Sequence, residues 1–151
     1  MNSEYNFIAA PGEFIQEWMD ETQINQAELA RRLGVSRKHV SQLLQGKAAL
    51  TPAIAIALER VTGVPARIWN RYEAGYQDAL LREQQRNQAE SSYAVAKSFP
   101  LTYLRKVGVI TANARDKAAT VSQLLSFLGV ASFSAFSTSW TKSSMTYRRR
   151  A

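Results

Sequence analysis

The chain has 151 residues, 46% of them hydrophobic, which is enough apolar material for a packed domain and argues against disorder. It has no cysteine, which excludes a disulfide framework, a thiolate metal site and a cysteine nucleophile; its one histidine leaves a Ser-His-Asp triad or a His-based metal site without a second home. The formal charge of +7 points to a polyanionic partner.

In chain order, Pro11 suits the first turn of a helix, and Phe14, Ile15, Trp18 and Met19 recur on one face up to Asp20. Asn25 followed by Glu28 reads as a capping box for a second helix running to Leu33, with Ile24 and Leu29 placed as a hydrophobic staple. Gly34 supplies a residue tolerant of left-handed backbone, and Ser36 caps a third helix that carries Val40, Leu43 and Leu44 inward. Gly46 ends it. Thr51 and Pro52 open a fourth helix, closed by Gly63, and Pro65 opens a fifth with Trp69, Tyr72, Tyr76 and Leu80 on one face.

Residues 83–92 are polar and read as a helix tail or linker. A helix is expected from Arg115 to Leu128, ended by Gly129, followed by a Ser/Thr-rich stretch with Phe133, Phe136 and Trp140. The closing Arg148, Arg149 and Arg150 would either touch phosphate as a basic arm or fray as a solvated tail. The longest apolar run, around Ala53 to Leu58, is too short to cross a bilayer, and the first residues lack the order of a signal peptide. The expectation is therefore a soluble, cytoplasmic protein without a membrane partner.

Charge is unevenly placed. Residues 1–65 hold six Lys/Arg against seven Asp/Glu, so the excess is C-terminal. Within that N-terminal part Glu13, Glu17, Asp20 and Glu21 belong to the first helix, while Arg31, Arg32, Arg37, Lys38 and Lys47 cluster against Glu28 alone. A DNA reader needs a rigid helix offering hydrogen-bonding side chains to base edges, flanked by groups that grip phosphate. The third helix has that form: with Val40, Leu43 and Leu44 inward, Arg37, Lys38, Ser41 and Gln42 face out and His39 lies at the margin, a groove-side or phosphate-side residue. Arg or Lys can read guanine and Gln can read adenine. Asn25, Gln26 and Ser36 at helix starts, and Lys47 just past the third helix, are candidates for phosphate.

Gln26-Ala-Glu-Leu-Ala30, Gly34-Val-Ser36, Val40-Ser41 and Gly46-Lys47 resemble the helix-turn-helix of the lambda-repressor/XRE family. The resemblance implies an all-α fold, a five-helix DNA-binding domain over residues 1–82 that dimerises on an inverted-repeat operator, with a helical extension over 93–151. Carried over by position, Arg37, Lys38 and Gln42 look like base readers and Ser41 a further one, with Asn25, Gln26 and Lys47 as phosphate contacts. Pro11-Gly-Glu-Phe14, Leu50-Thr-Pro52, Ala57 to Gly63 and the spacing of Trp69, Glu73 and Tyr76 are similar to HigA-type (VapI-like) antitoxins. That implies a repressor of its own operon and, as partner, a HigB-like ribosome-dependent mRNA-cleaving toxin.

Trp69, Tyr72 and Tyr76 then have two readings, core packing of the fifth helix or a dimer or partner interface. Phe99-Pro-Leu101, Leu104-Arg-Lys106 and Leu124 to Val130 resemble the connector of XRE proteins fused to ImmA/IrrE-type metallopeptidases. No His-Glu-x-x-His motif occurs, so that activity is not expected; with one histidine, no Gly-rich phosphate loop and only scattered carboxylates, no other enzymatic activity is expected either, and no cofactor. The chain is either a long antitoxin or a regulator that kept the connector without the peptidase. A protein-interaction module built on residues 93–140 is the reading of a different class.

Overall fold

The computed structural model describes residues 9–139; Trp140 and Arg148–Arg150 lie outside the described residues. Among the described residues the chain is all helical: α1 (Pro11–Thr22), α2 (Gln26–Leu33), α3 (Arg37–Leu44), α4 (Pro52–Thr62), α5 (Ala66–Asn87), α6 (Ala89–Ala96), α7 (Leu101–Lys106) and α8 (Lys117–Leu128), with further helical residues at 133–139. It divides after Arg82 into two compact units.

In unit 1 the local signals act as written. Ser36 Oγ accepts from the His39 N–H at 3.0 Å and Thr51 Oγ1 from that of Ile54 at 3.3 Å, so α3 and α4 start where a side-chain oxygen satisfies an orphan donor. The cap of α2 is only half the expected box. Asn25 Oδ1 accepts from the Glu28 N–H at 2.9 Å, but the Glu28 carboxylate turns to Arg31 and Arg32 instead of reaching back. At α1 the reverse holds: Ala10 has no side-chain acceptor, and its N–H donates to Glu13 Oε1 at 3.4 Å.

The core of unit 1 is built from Ile15, Met19, Leu29, Leu33, Val40, Leu43, Leu50, Ala55, Leu58 and Trp69, one stripe from each of α1 to α5 together with Leu50 from the loop before α4. Complete burial of each larger aliphatic side chain contributes about 1.5–3 kcal/mol before the opposing entropy of ordering it is counted.

Unit 2 has its own core of Ala96, Leu101, Leu104, Ile110, Val121 and Leu124. Asp116 caps α8 by accepting from the Ala119 N–H at 3.0 Å, and Gln123 Oε1 accepts from the N–H groups of Thr111 and Ala112 at 2.8 and 3.0 Å, pinning the loop before α8.

Residues 83–92, read as a helix tail or linker, are mostly helical: α5 runs to Asn87, with Glu83 and Arg86 paired in its last turns, and after a break at Gln88 α6 starts at Ala89. The C-terminal part is also more apolar than its unbroken apolar runs suggest. Lys117–Ser139 holds an 18-residue window of mean hydropathy 1.4, long and apolar enough to cross a membrane by length and composition. Ser and Thr scattered among Ala, Val, Leu and Phe break up the runs but scarcely lower the mean. The helix is interrupted after Gly129, and Thr120, Val121 and Leu124 are buried inside unit 2.

Candidate nucleic-acid interface

The turn between α2 and α3 is three residues long. Gly34 takes φ 70°, ψ 31°, its N–H donating to the carbonyls of Ala30 and Arg31, and the Val35 N–H donates back to Ala30 O at 3.1 Å. These bonds occupy the Ala30 and Arg31 carbonyls of α2 and turn the chain at once into the Ser36 cap. The far end of α3 is held differently. Gly12 of α1 lies against its last turn so closely that a methyl carbon there would sit 2.5 Å from the Leu43 carbonyl oxygen and 2.6 Å from that of Leu44. Tyr76 of α5 reaches the same place, its hydroxyl 3.1 Å from where a Cβ on Gly46 would stand. The orientation of α3 is thus fixed by a glycine turn at one end and by direct backbone packing at the other. Sequence reasoning missed this role of Gly12, because a glycine inside the first turn of a helix carries no local mark of a distant neighbour.

On the frame so fixed, Val40 and Leu43 are buried, Arg37 and Lys38 are exposed, and His39, Ser41 and Gln42 are half-buried. The outward set is therefore brought together on one helix, with Arg37 and Lys38 in its first turn. Ser41 Oγ accepts from Gln45 Nε2 at 3.3 Å, which leaves its hydroxyl proton to donate. Lys47 is exposed and tied to α3 by its N–H, which donates to Gln42 O at 2.8 Å.

Of the phosphate candidates, Asn25 and Ser36 have committed their oxygens to caps. Asn25 can offer only its amide N–H groups and Ser36 only its hydroxyl proton. Gln26 is half-buried at the start of α2.

The basic cluster is smaller than its residue count. Arg31 and Arg32, two of the five cations grouped from sequence, both turn to Glu28, Arg32 at 2.8 Å. The Arg32 hydrogen bond, and next the Arg31 charge, hold the Glu28 carboxyl below its ordinary value. Among the described residues no ion pair involves Arg37, Lys38 or Lys47. These three remain available to a polyanion.

Of the two readings of the α5 aromatic stripe, core packing or interface, the structure puts Trp69 in the first. Trp69 is 2% exposed and belongs to the core. Tyr72 stacks on Phe14 of α1 with ring centroids 4.1 Å apart and meets Trp69 edge-on at 6.1 Å, while Tyr76 packs at the end of α3. Trp69 is thus spent on the core, and the half-buried Tyr72 and Tyr76 help to hold α5 onto the domain. The exposed apolar residues of α5 are Leu80 and Leu81.

Residues 15–69 match the helix-turn-helix family model. The chain is 44% identical over 59 residues to the uncharacterized HTH-type transcriptional regulator YddM of Escherichia coli (strain K12), an alignment taking in 39% of this chain and 63% of that protein's length. The segment from α1 to the start of α5 is therefore a helix-turn-helix domain, with α2 and α3 as its two crossing helices.

Proposed function

We propose that this chain is a sequence-specific, double-stranded-DNA-binding transcriptional repressor that reads the major groove with α3 and works in the cytoplasm as a dimer on an inverted-repeat operator. The observation that carries this reading is the juxtaposition on one rigidly held helix of exposed Arg37 and Lys38 with half-exposed Ser41 and Gln42, inside a segment matching the helix-turn-helix family. The base edges are read by Arg37, Lys38, Ser41 and Gln42; Lys47, Gln26, His39 and the capping residues Asn25 and Ser36 take phosphate.

Arg37→Ala and Gln42→Ala are each expected to relax base preference at one position of each half-site, by about 1–3 kcal/mol, as measured by binding to a panel of single-base operator variants. Lys47→Ala is expected to weaken every duplex alike and to flatten the salt slope by about one. Equal loss on all sequences for Arg37→Ala would remove it from the readers. The operator itself comes from random-library selection with the purified protein: half-sites about one helical turn apart support the dimeric repressor, and sequence-blind recovery sinks it.

The finer reading is that the protein acts as a HigA-type antitoxin on its own operon, supported by the resemblance of Pro11–Phe14, Leu50–Pro52, Ala57–Gly63 and the Trp69, Glu73 and Tyr76 spacing to that pattern. Its test is co-purification from native cells of a small basic toxin at fixed stoichiometry. One observation favours an interaction module instead: unit 2 has a core of its own and exposes Val95, Tyr103, Val107 and Phe127. A partner held by residues 93–140, with no operator recovered, would establish that alternative.

A further inference from the structure

The charge of the chain divides with its two units. Residues 1–82 hold nine Lys/Arg and nine Asp/Glu, whereas residues 83–151 hold ten and three, so the whole formal charge of +7 belongs to unit 2. All three of those carboxylates are engaged within the unit: Glu83 by Arg86, Glu90 by Lys117 at 2.7 Å, and Asp116 by the cap of α8. Lys97, Arg105, Lys106 and Arg115 are cations that these carboxylates do not neutralise, and four more lie outside the described residues.

Part of this charge is gathered and held. The Lys97 and Lys117 ammonium groups stand 5.6 and 5.7 Å from the centroid of the same Tyr93 ring, one from the end of α6 and one from the start of α8. Arg105 donates to Thr120 Oγ1 at 3.2 Å, one turn along α8 from Lys117. Arg115 is exposed two residues before Lys117. Tyr93 and Thr120 restrict side chains that would otherwise lose rotamer freedom on meeting a partner, which lowers the entropic cost of binding there.

We propose that this face of unit 2 is a second nucleic-acid contact, gripping duplex DNA phosphates without reading bases. The inference rests on the DNA-binding reading of unit 1 for its biological setting and on the charge of unit 2 for its chemistry. Lys97 stands at the end of α6 and Arg115 in the loop before α8, not side by side on one exposed helix face as Arg37, Lys38, Ser41 and Gln42 are on α3; what they offer is charge, which phosphate takes irrespective of sequence. Because both surfaces belong to one chain, even weak binding of phosphate by unit 2 acts at high effective concentration once unit 1 is bound.

The full chain carrying Lys97→Gln and Arg115→Gln together is expected to lower the slope of log K against log salt by up to about 1.8, near 0.9 for each phosphate that is no longer neutralised, with base preference at the operator unchanged. Glu90→Gln, which removes the acid beside Lys117 and leaves the cations intact, is expected to do the opposite and tighten every duplex. Slopes equal to the wild type in both variants would overturn the proposal. A wild-type chain without base preference would instead overturn the reading of unit 1, and the slope comparison would still decide this one.

Discussion

Replacing Gly12 by alanine is expected to lower the melting temperature of unit 1 by about 10 °C or more, followed by helical circular dichroism, and to weaken operator binding in whatever fraction stays folded. The new methyl carbon would lie 2.5–2.7 Å from the Leu43 and Leu44 carbonyl oxygens and the Leu44 Cα. Backbone atoms in a helix cannot rotate aside as a side chain can, so α1 and α3 must separate. Overpacking costs about 1–3 kcal/mol, and a clash with main chain belongs at the upper end. Each kcal/mol is worth about 4–8 °C in a domain of this size.

Gly34→Ala is the matched control. It meets nothing within 4 Å but has φ +70°, so its cost is left-handed strain alone, about 1 kcal/mol. Equal losses from the two substitutions would mean that the packing of α1 on the end of α3 does not limit stability. The operator readout adds a second distinction: a glycine that positions α3 should cost specific binding beyond what its lost stability explains.

What could be read in the sequence was what is local. Ser36, Thr51 and Asn25 announce helix starts because an oxygen three residues before an N–H closes the same small ring in any protein. Gly34 with Ser36 gives the turn length, and the spacing of Val40 and Leu43 gives the buried side of α3, leaving Arg37, Lys38, Ser41 and Gln42 outward. The pairing of Arg31 and Arg32 with Glu28 was within reach, since i+3 and i+4 spacing on a helix brings them together, yet counting charges without pairing them overstated the basic face by the one charge that Glu28 cancels.

What could not be read was tertiary. The Phe14–Tyr72 stack joins residues 58 positions apart, and one aromatic stripe looks the same whether a helix of its own chain or another molecule covers it. In unit 2 the helix expected from Arg115 to Leu128 is α8, but α6 and α7 could not be delimited for a related reason: both are short, and short helices owe their stability to packing against a neighbour rather than to any pattern of their own.

That ambiguity of the α5 stripe makes Trp69 the most informative residue after Gly12. Trp69→Ala is expected to cost about 3–5 kcal/mol, a large fraction of the stability of a small domain, because the indole fills the centre of the unit 1 core and supports the edge of Tyr72. Trp69→Phe should cost much less. Trp69 Nε1 is buried with no hydrogen-bond partner among the described residues, and removing an unsatisfied donor recovers about 1–3 kcal/mol against the ring volume removed. Neither change should alter the mass of the folded protein in sedimentation, since a side chain 2% exposed has no surface to give a partner.

A dimer formed along α5 would instead use Leu80 and Leu81, 41% and 58% exposed. Leu80→Lys with Leu81→Lys should then shift the protein toward monomer while its melting temperature at fixed concentration falls little, since surface changes of this kind move folding stability by about 0.5 kcal/mol. If Trp69→Phe shifted the mass and the double lysine variant did not, the buried tryptophan would be an interface residue after all, and α5 would not pack on α1 through its aromatic face.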